Sequence, residues 1–167
     1  MSEERLSRGY AATVVGLMLA LPVASILLGR LDDGGGGGLW GAIGRWFVFW
    51  AVGGRLFGAG IRQCLQPGFT ARDIFHLGSP DAEVIVRELG FANVCMGSVG
   101  LISGFVPAWR AAAGCAGALY FGLAGAMHLR KRPATPNEWL ALLSDLFVFV
   151  VVGAWLIHDL SHGARYL

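Results

Sequence analysis

The chain has 167 residues, 55% of them hydrophobic and only 14% charged, with a formal net charge of +2. Apolar residues in such proportion, gathered into membrane-length blocks, exclude an ordinary soluble domain. The 13 basic and 11 acidic side chains are spread over several connections, which excludes a nucleic-acid-binding surface as well.

Taken in order, the chain reads as one all-α unit: a polytopic transmembrane helical bundle of about five membrane-spanning helices plus a short interfacial helix. A polar head ending near Gly9 leads into an uncharged first span over 11–28. Arg30, Asp32 and Asp33 follow, and the glycine run 34–38, which has no side chains to pack, reads as a flexible connection. The second span, 39–62, opens with Trp40, Trp46, Phe47, Phe49 and Trp50 in the manner of an interfacial belt. Arg45 among them can snorkel to headgroups, whereas Arg55 lies deep enough to need a partner.

After Gln63 the segment around Pro67 and TARDIFHL suggests a short helix lying at the interface, with Thr70 as cap and Asp73 three residues on. Ser79, Pro80 and Asp81 then form a helix start, with proline first and acids in the first turn, and the third span runs over 84–104. Pro107 and Trp109 turn the chain into a fourth span, 108–129. A fifth, 138–160, follows the start formed by Thr135, Pro136 and Glu138.

Alternating these spans places Arg5, Arg8, Arg62, Arg72, Arg87, Arg130, Lys131 and Arg132 on one side, and Arg30, Arg45, Arg110 and Arg165 on the other. The positive-inside rule makes the first side cytoplasmic. The expectation is a bacterial inner-membrane protein with its N-terminus cytoplasmic and its C-terminus external.

Arg55, Asn93 and Asp145 each lie six or seven residues inside the cytoplasmic ends of their spans, or roughly 9 to 10 Å deep at helical rise. They are expected to meet in one layer. Glu88 and His128 stand nearer the surface of the same half, with Tyr120 and Ser144 available to complete the hydrogen bonding. An isolated charge at such depth costs about 2.5 to 3.5 kcal/mol, so opposite charges on neighbouring helices tend to pair. Arg55 with Asp145 is the first pairing expected, and Glu88 with Arg62 or Arg87 the second. Either the layer is a structural ion pair that sets helix register, or it is a polar pocket.

Small residues mark the expected helix contacts. Gly54 and Gly58 lie in the second span; Gly90, Gly97 and Gly104 recur every seven residues in the third and share a face with Gly100 and Asn93. Gly114, Ala118, Gly122 and Ala126 recur every four in the fourth. His158 and His162 are a helical turn apart at the external end, the only pattern that approaches a metal site; they read better as interfacial histidines, and no metal is expected. Cys64, Cys95 and Cys115 form no CxxC pair and read as small apolar residues. No nucleophile, base and orienting acid can be assembled, so no catalytic residues are expected.

GIRQ with the following Pro67, RELGFAN at Arg87 to Asn93, and NEWLALLSDLFVF at Asn137 to Phe149 resemble a family of small bacterial membrane proteins of unknown function. The likeness covers roughly Trp46 to Ile157. A more distant similarity is to DoxX-like four-helix membrane proteins, some linked to quinone or thiosulfate redox chemistry, although this chain has a fifth apolar block and no cysteine pair.

Three functional readings follow. The first is a non-enzymatic accessory or assembly partner of a membrane complex, with the bilayer and another membrane protein or a second copy as its partners. The second, implied by the DoxX-like similarity, is a redox or quinone-associated subunit. The third is a small-solute or proton transporter that uses Arg55, Glu88 and Asp145 as its path. No cofactor is required by the residues, with a quinone or a lipid as the candidate ligands.

Overall fold

The structure is a computed structural model that describes residues 6–32, 38–74 and 77–163. Asp33 and the glycines at 34–37, Arg5, Phe75, His76 and Arg165 lie outside the described residues, as do the side chains of Arg30, Asp32 and Asp73. The described chain is helical, with five long helices. Four helical stretches, Arg8–Gly29, Pro80–Ile102, Pro107–Lys131 and Pro136–His162, are long and apolar enough to cross a membrane. The remaining long helix carries Arg45, Arg55 and Arg62 among repeated glycines, and these dilute its apolar character.

Helix α1 runs through Arg8–Val15, a π-helical Gly16–Ala20 and Leu21–Asp32. Pro22 explains the wide turn: proline offers no N–H, and its ring would crowd the carbonyl four residues back in a regular helix. Helix α2 is built in the same way from Gly38–Phe47, a π-helical Val48–Gly54 and Arg55–Leu65. Arg55 therefore leaves a widened turn, which the expectation of a regular span did not contain.

The chain breaks at Gln66 and re-enters a helical turn at Pro67–Phe69, followed by a π turn over Thr70–Ile74. The interfacial helix thus starts one turn before the Thr70 cap that was expected, because Pro67 at its first position is preorganised for helix. Thr70 is buried inside the segment instead. Arg72 donates to Glu83 at 2.7 Å and clips the segment to the next helix, over a small cluster of Ala71, Ala82 and Val86.

Helix α3 is Pro80–Ile102, with the Ser79 side chain accepting from the Ala82 amide as its cap. A 3-10 turn over Pro107–Trp109 leads into α4, Arg110–Lys131. Helix α5 is Pro136–Gly163, and its start is the reciprocal cap read from sequence. The Glu138 amide donates to Thr135 Oγ1 at 3.3 Å, while Glu138 Oε2 accepts from the Thr135 amide at 3.1 Å.

Glycines decide which helices touch. On the α2/α3 seam a Cβ on Gly53 would lie 2.6 Å from the Leu101 nitrogen, and one on Gly60 2.6 Å from the Val94 nitrogen. From the other side, Gly100 meets the Gly53 backbone, Gly97 the Phe57 backbone, and Gly90 the Cys64 backbone. Gly104 packs under Phe49, Gly54 against Leu17 and Trp50, Gly114 under Trp155, and Gly122 under Phe149. Ala118 is buried in the core. Two expected packing positions are corrected: a Cβ on Gly58 meets nothing within 4 Å, and Ala126 is exposed. Both belong to stripes whose register drifts around the helix, so their last members turn outward.

The main core joins Val14 and Met18 of α1, Val48, Val52 and Leu56 of α2, Ala113 and Phe121 of α4, and Val148, Val152 and Trp155 of α5. Phe47 sits in this core, and Phe49 packs edge-on to Trp46 and Trp50; of the expected aromatic belt only Trp40 is exposed. Trp50 Nε1 donates to Ser25 at 3.0 Å and ties α1 to α2. At one end of the bundle the Ser7 amide donates to Asn137 at 3.0 Å; at the other, Trp40 stacks on His158 at 4.7 Å. The chain start and the loop before α5 therefore share an end, as alternating spans require.

Candidate functional site

Each of the five helices contributes a polar side chain to the half of the bundle where Ser7 meets Asn137, spread over about 12 Å of depth at helical rise. Helix α1 supplies Tyr10, α2 Arg55 and Gln63, α3 Asn93, α4 Tyr120 and His128, and α5 Asp145. Asn93 is 1% exposed and Asp145 9%, so two of these groups are enclosed by the packing.

Asn93 donates from Nδ2 to Gln63 Oε1 at 2.8 Å, while its Oδ1 is buried without a hydrogen-bond partner. Tyr120 is the polar side chain facing it. An amide that satisfies its donor and leaves its acceptor open is costly in apolar surroundings. The seam explains how it came to be buried: Asn93 lies between Gly90 and Gly97, where the α2 backbone approaches closely.

Arg55 lies below Tyr10, its guanidinium carbon 6.0 Å from the ring centroid, and its buried Nε has no hydrogen-bond partner. It is within electrostatic range of Asp145 but forms no ion pair with it. The carboxylate of Asp145 instead approaches His128, with Oδ2 3.8 Å from Nε2. The first expected pairing is thus a through-space attraction and not a contact. The widened turn just before Arg55 alters the register from which its side chain leaves α2.

The second expected pairing is absent. Glu88 and Arg87 are exposed, and among the described residues Glu88 forms no ion pair with Arg62 or with Arg87. Arg62 lies over the Phe69 ring, 3.8 Å from its centroid, because the interfacial segment folds back beneath the end of α2. Ser144 donates to the carbonyl of Ala141 at 3.0 Å, one turn back in its own helix, and so does not complete the layer. At the opposite end the rings of His158 and His162 stack at 4.1 Å, and His162 Nδ1 lies 2.9 Å from the His158 carbonyl. Among the described residues no three His, Cys, Asp or Glu side chains come together as a metal site would need.

Tyr10 and Gln63 belong to the layer and were not read from sequence. Tyr10 looks like part of the polar head, and Gln63 like the first residue of a connection. The available signal was the absence of any proline or glycine between Gln63 and Pro67, which lets α2 continue to Leu65.

The arrangement sets a cation, a carboxylate, an imidazole, two phenols and two amides in one half of the bundle, with a donor and an acceptor unsatisfied among the described residues. It can hold or pass a small polar species; it contains no activated nucleophile. Comparison of the chain with protein-family models, with curated proteins and with solved structures gives no match.

Proposed function

We propose that this is a five-span bacterial inner-membrane protein, cytoplasmic at its N-terminus and non-enzymatic, whose buried layer binds or relays a small polar solute or a proton. One observation carries this reading. A layer kept only to lock helix register would close its ion pair, yet among the described residues Arg55 Nε and Asn93 Oδ1 are both buried and unpartnered, and Asp145 forms no ion pair with the arginine. Open groups of this kind are retained where a ligand or water completes them.

Reconstitution into proteoliposomes tests it. The protein should support proton or small-solute flux that Asp145→Asn abolishes when equal amounts of folded protein are reconstituted. Equal flux from protein-free vesicles and from those containing the protein would overturn the reading.

A second reading, an accessory partner of a membrane complex, is favoured by the outward face at the start of α4, where Ala112, Cys115 and Ala116 are exposed and small enough for another helix to approach closely. Copurification as a stable larger assembly, without flux, supports that reading instead.

A further inference from the structure

The end of the bundle opposite the polar layer gathers positive charge that no ion pair among the described residues neutralises. Arg110 opens α4 and Arg45 lies in the first part of α2; the two are close enough to repel. The Nε of Arg110 is buried without a hydrogen-bond partner, and Arg45 is exposed, its guanidinium carbon 4.8 Å from the Trp46 ring centroid. Asp159 is within electrostatic range of Arg110, but among the described residues it forms no ion pair with either arginine. Two cations within electrostatic range of one another, with one acid in range that pairs with neither among the described residues, favour an added anion.

Beside this charge the surface is apolar. Phe105 is 81% exposed and Trp109 45%, on the turn that delivers Arg110. Exposed aromatic residues at a span end mark the headgroup level of a bilayer, where lipid phosphates lie. A phosphate between the two guanidiniums would accept from the open Nε–H, and the attached acyl chains would lie along Phe105 and Trp109.

We propose that Arg45 and Arg110 form a headgroup site for an anionic phospholipid. The guanidiniums hold the phosphate, and the exposed aromatics hold the chains. This site is independent of the polar layer and of the function assigned to it. A free phosphate would use the same arginines but gains nothing from Phe105 and Trp109, so the lipid is the occupant that satisfies both halves of the site.

Native mass spectrometry of the full chain, titrated with phosphatidylglycerol, tests this. Surface arginines contribute enough attraction that Arg45→Gln with Arg110→Gln should weaken the binding about 30-fold, and the exposed Arg45→Gln alone about fivefold. The single variant carries the test if the double fails to fold. Arg130→Gln with Lys131→Gln, at the other end, should leave this binding unchanged. Retention of phosphatidylglycerol by the Arg45→Gln variant at wild-type affinity would overturn the proposal, as would equal binding of diacylglycerol or complete displacement by equimolar inorganic phosphate.

Discussion

Asn93 shows how an ordinary amide becomes decisive once packing encloses it. Its Nδ2 is matched by Gln63 and its Oδ1 is open, so Asn93→Leu strands the Gln63 acceptor while removing only one satisfied bond. We expect a loss of about 1 to 3 kcal/mol in detergent unfolding, with Gln63→Leu in the same background recovering part of it. For Arg55 and Asp145, attraction without contact still leaves either charge isolated when the other is removed. Arg55→Leu and Asp145→Leu should each lower folded yield more than the double variant, with a coupling of about 0.5 to 3 kcal/mol in a double-mutant cycle. Strict additivity would show that the two charges do not interact. Arg132, which ends α4 at φ 60°, holds a left-handed conformation that glycine adopts freely. Arg132→Gly should therefore raise stability by about 1 kcal/mol in thermal melts, and Arg132→Val should lower it. Of these residues, sequence marked Asn93, Arg55 and Asp145, because polar groups are conspicuous in apolar spans. Their partners were not legible, since Tyr10 and Gln63 sit at span ends, where polar residues are ordinary.

Among the elements, the α2/α3 seam is the one most sensitive to a single atom. Gly60 and Gly97 face backbone, which cannot move aside as a side-chain tip can, so Gly60→Ala or Gly97→Ala should destabilise by about 1 to 3 kcal/mol. Gly58 meets nothing, and Gly58→Ala should be neutral or gain up to about 1 kcal/mol through helix propensity alone. Melting temperatures of the three variants in one detergent separate the cases. Periodicity revealed the α3 half of this seam, Gly90, Gly97 and Gly100. The α2 half is Gly53, inside the π-helical turn over Val48–Gly54, and Gly60, whereas Gly54 faces Leu17 of α1 and Gly58 faces open space. A widened turn leaves no compositional mark of its own, so a face extrapolated through it at regular pitch comes out wrong.

For the molecule as a whole, the contact between Ser7 and Asn137 brings the chain start and the beginning of α5 to one end, and the stacking of Trp40 on His158 marks the other. Cysteines introduced at Ser7 and Asn137 should cross-link to each other in membranes, and both should be labelled by an impermeant thiol reagent only after the cytoplasmic face is opened. Labelling of intact cells at these positions would reverse the orientation taken from the arginine distribution. The sequence by itself determined that the chain is helical and apolar in membrane-length blocks, where α3 and α5 begin, and which polar residues are expensive to bury. These are properties of composition, caps and spacing, which act locally along the chain. Only the tertiary structure decided that Asp145 faces His128, that Arg62 lies over Phe69, and that Arg55 and Asn93 keep open hydrogen-bonding groups. Those outcomes depend on how far each helix is rotated, and that rotation is set by glycine contacts and π turns between segments distant in the chain.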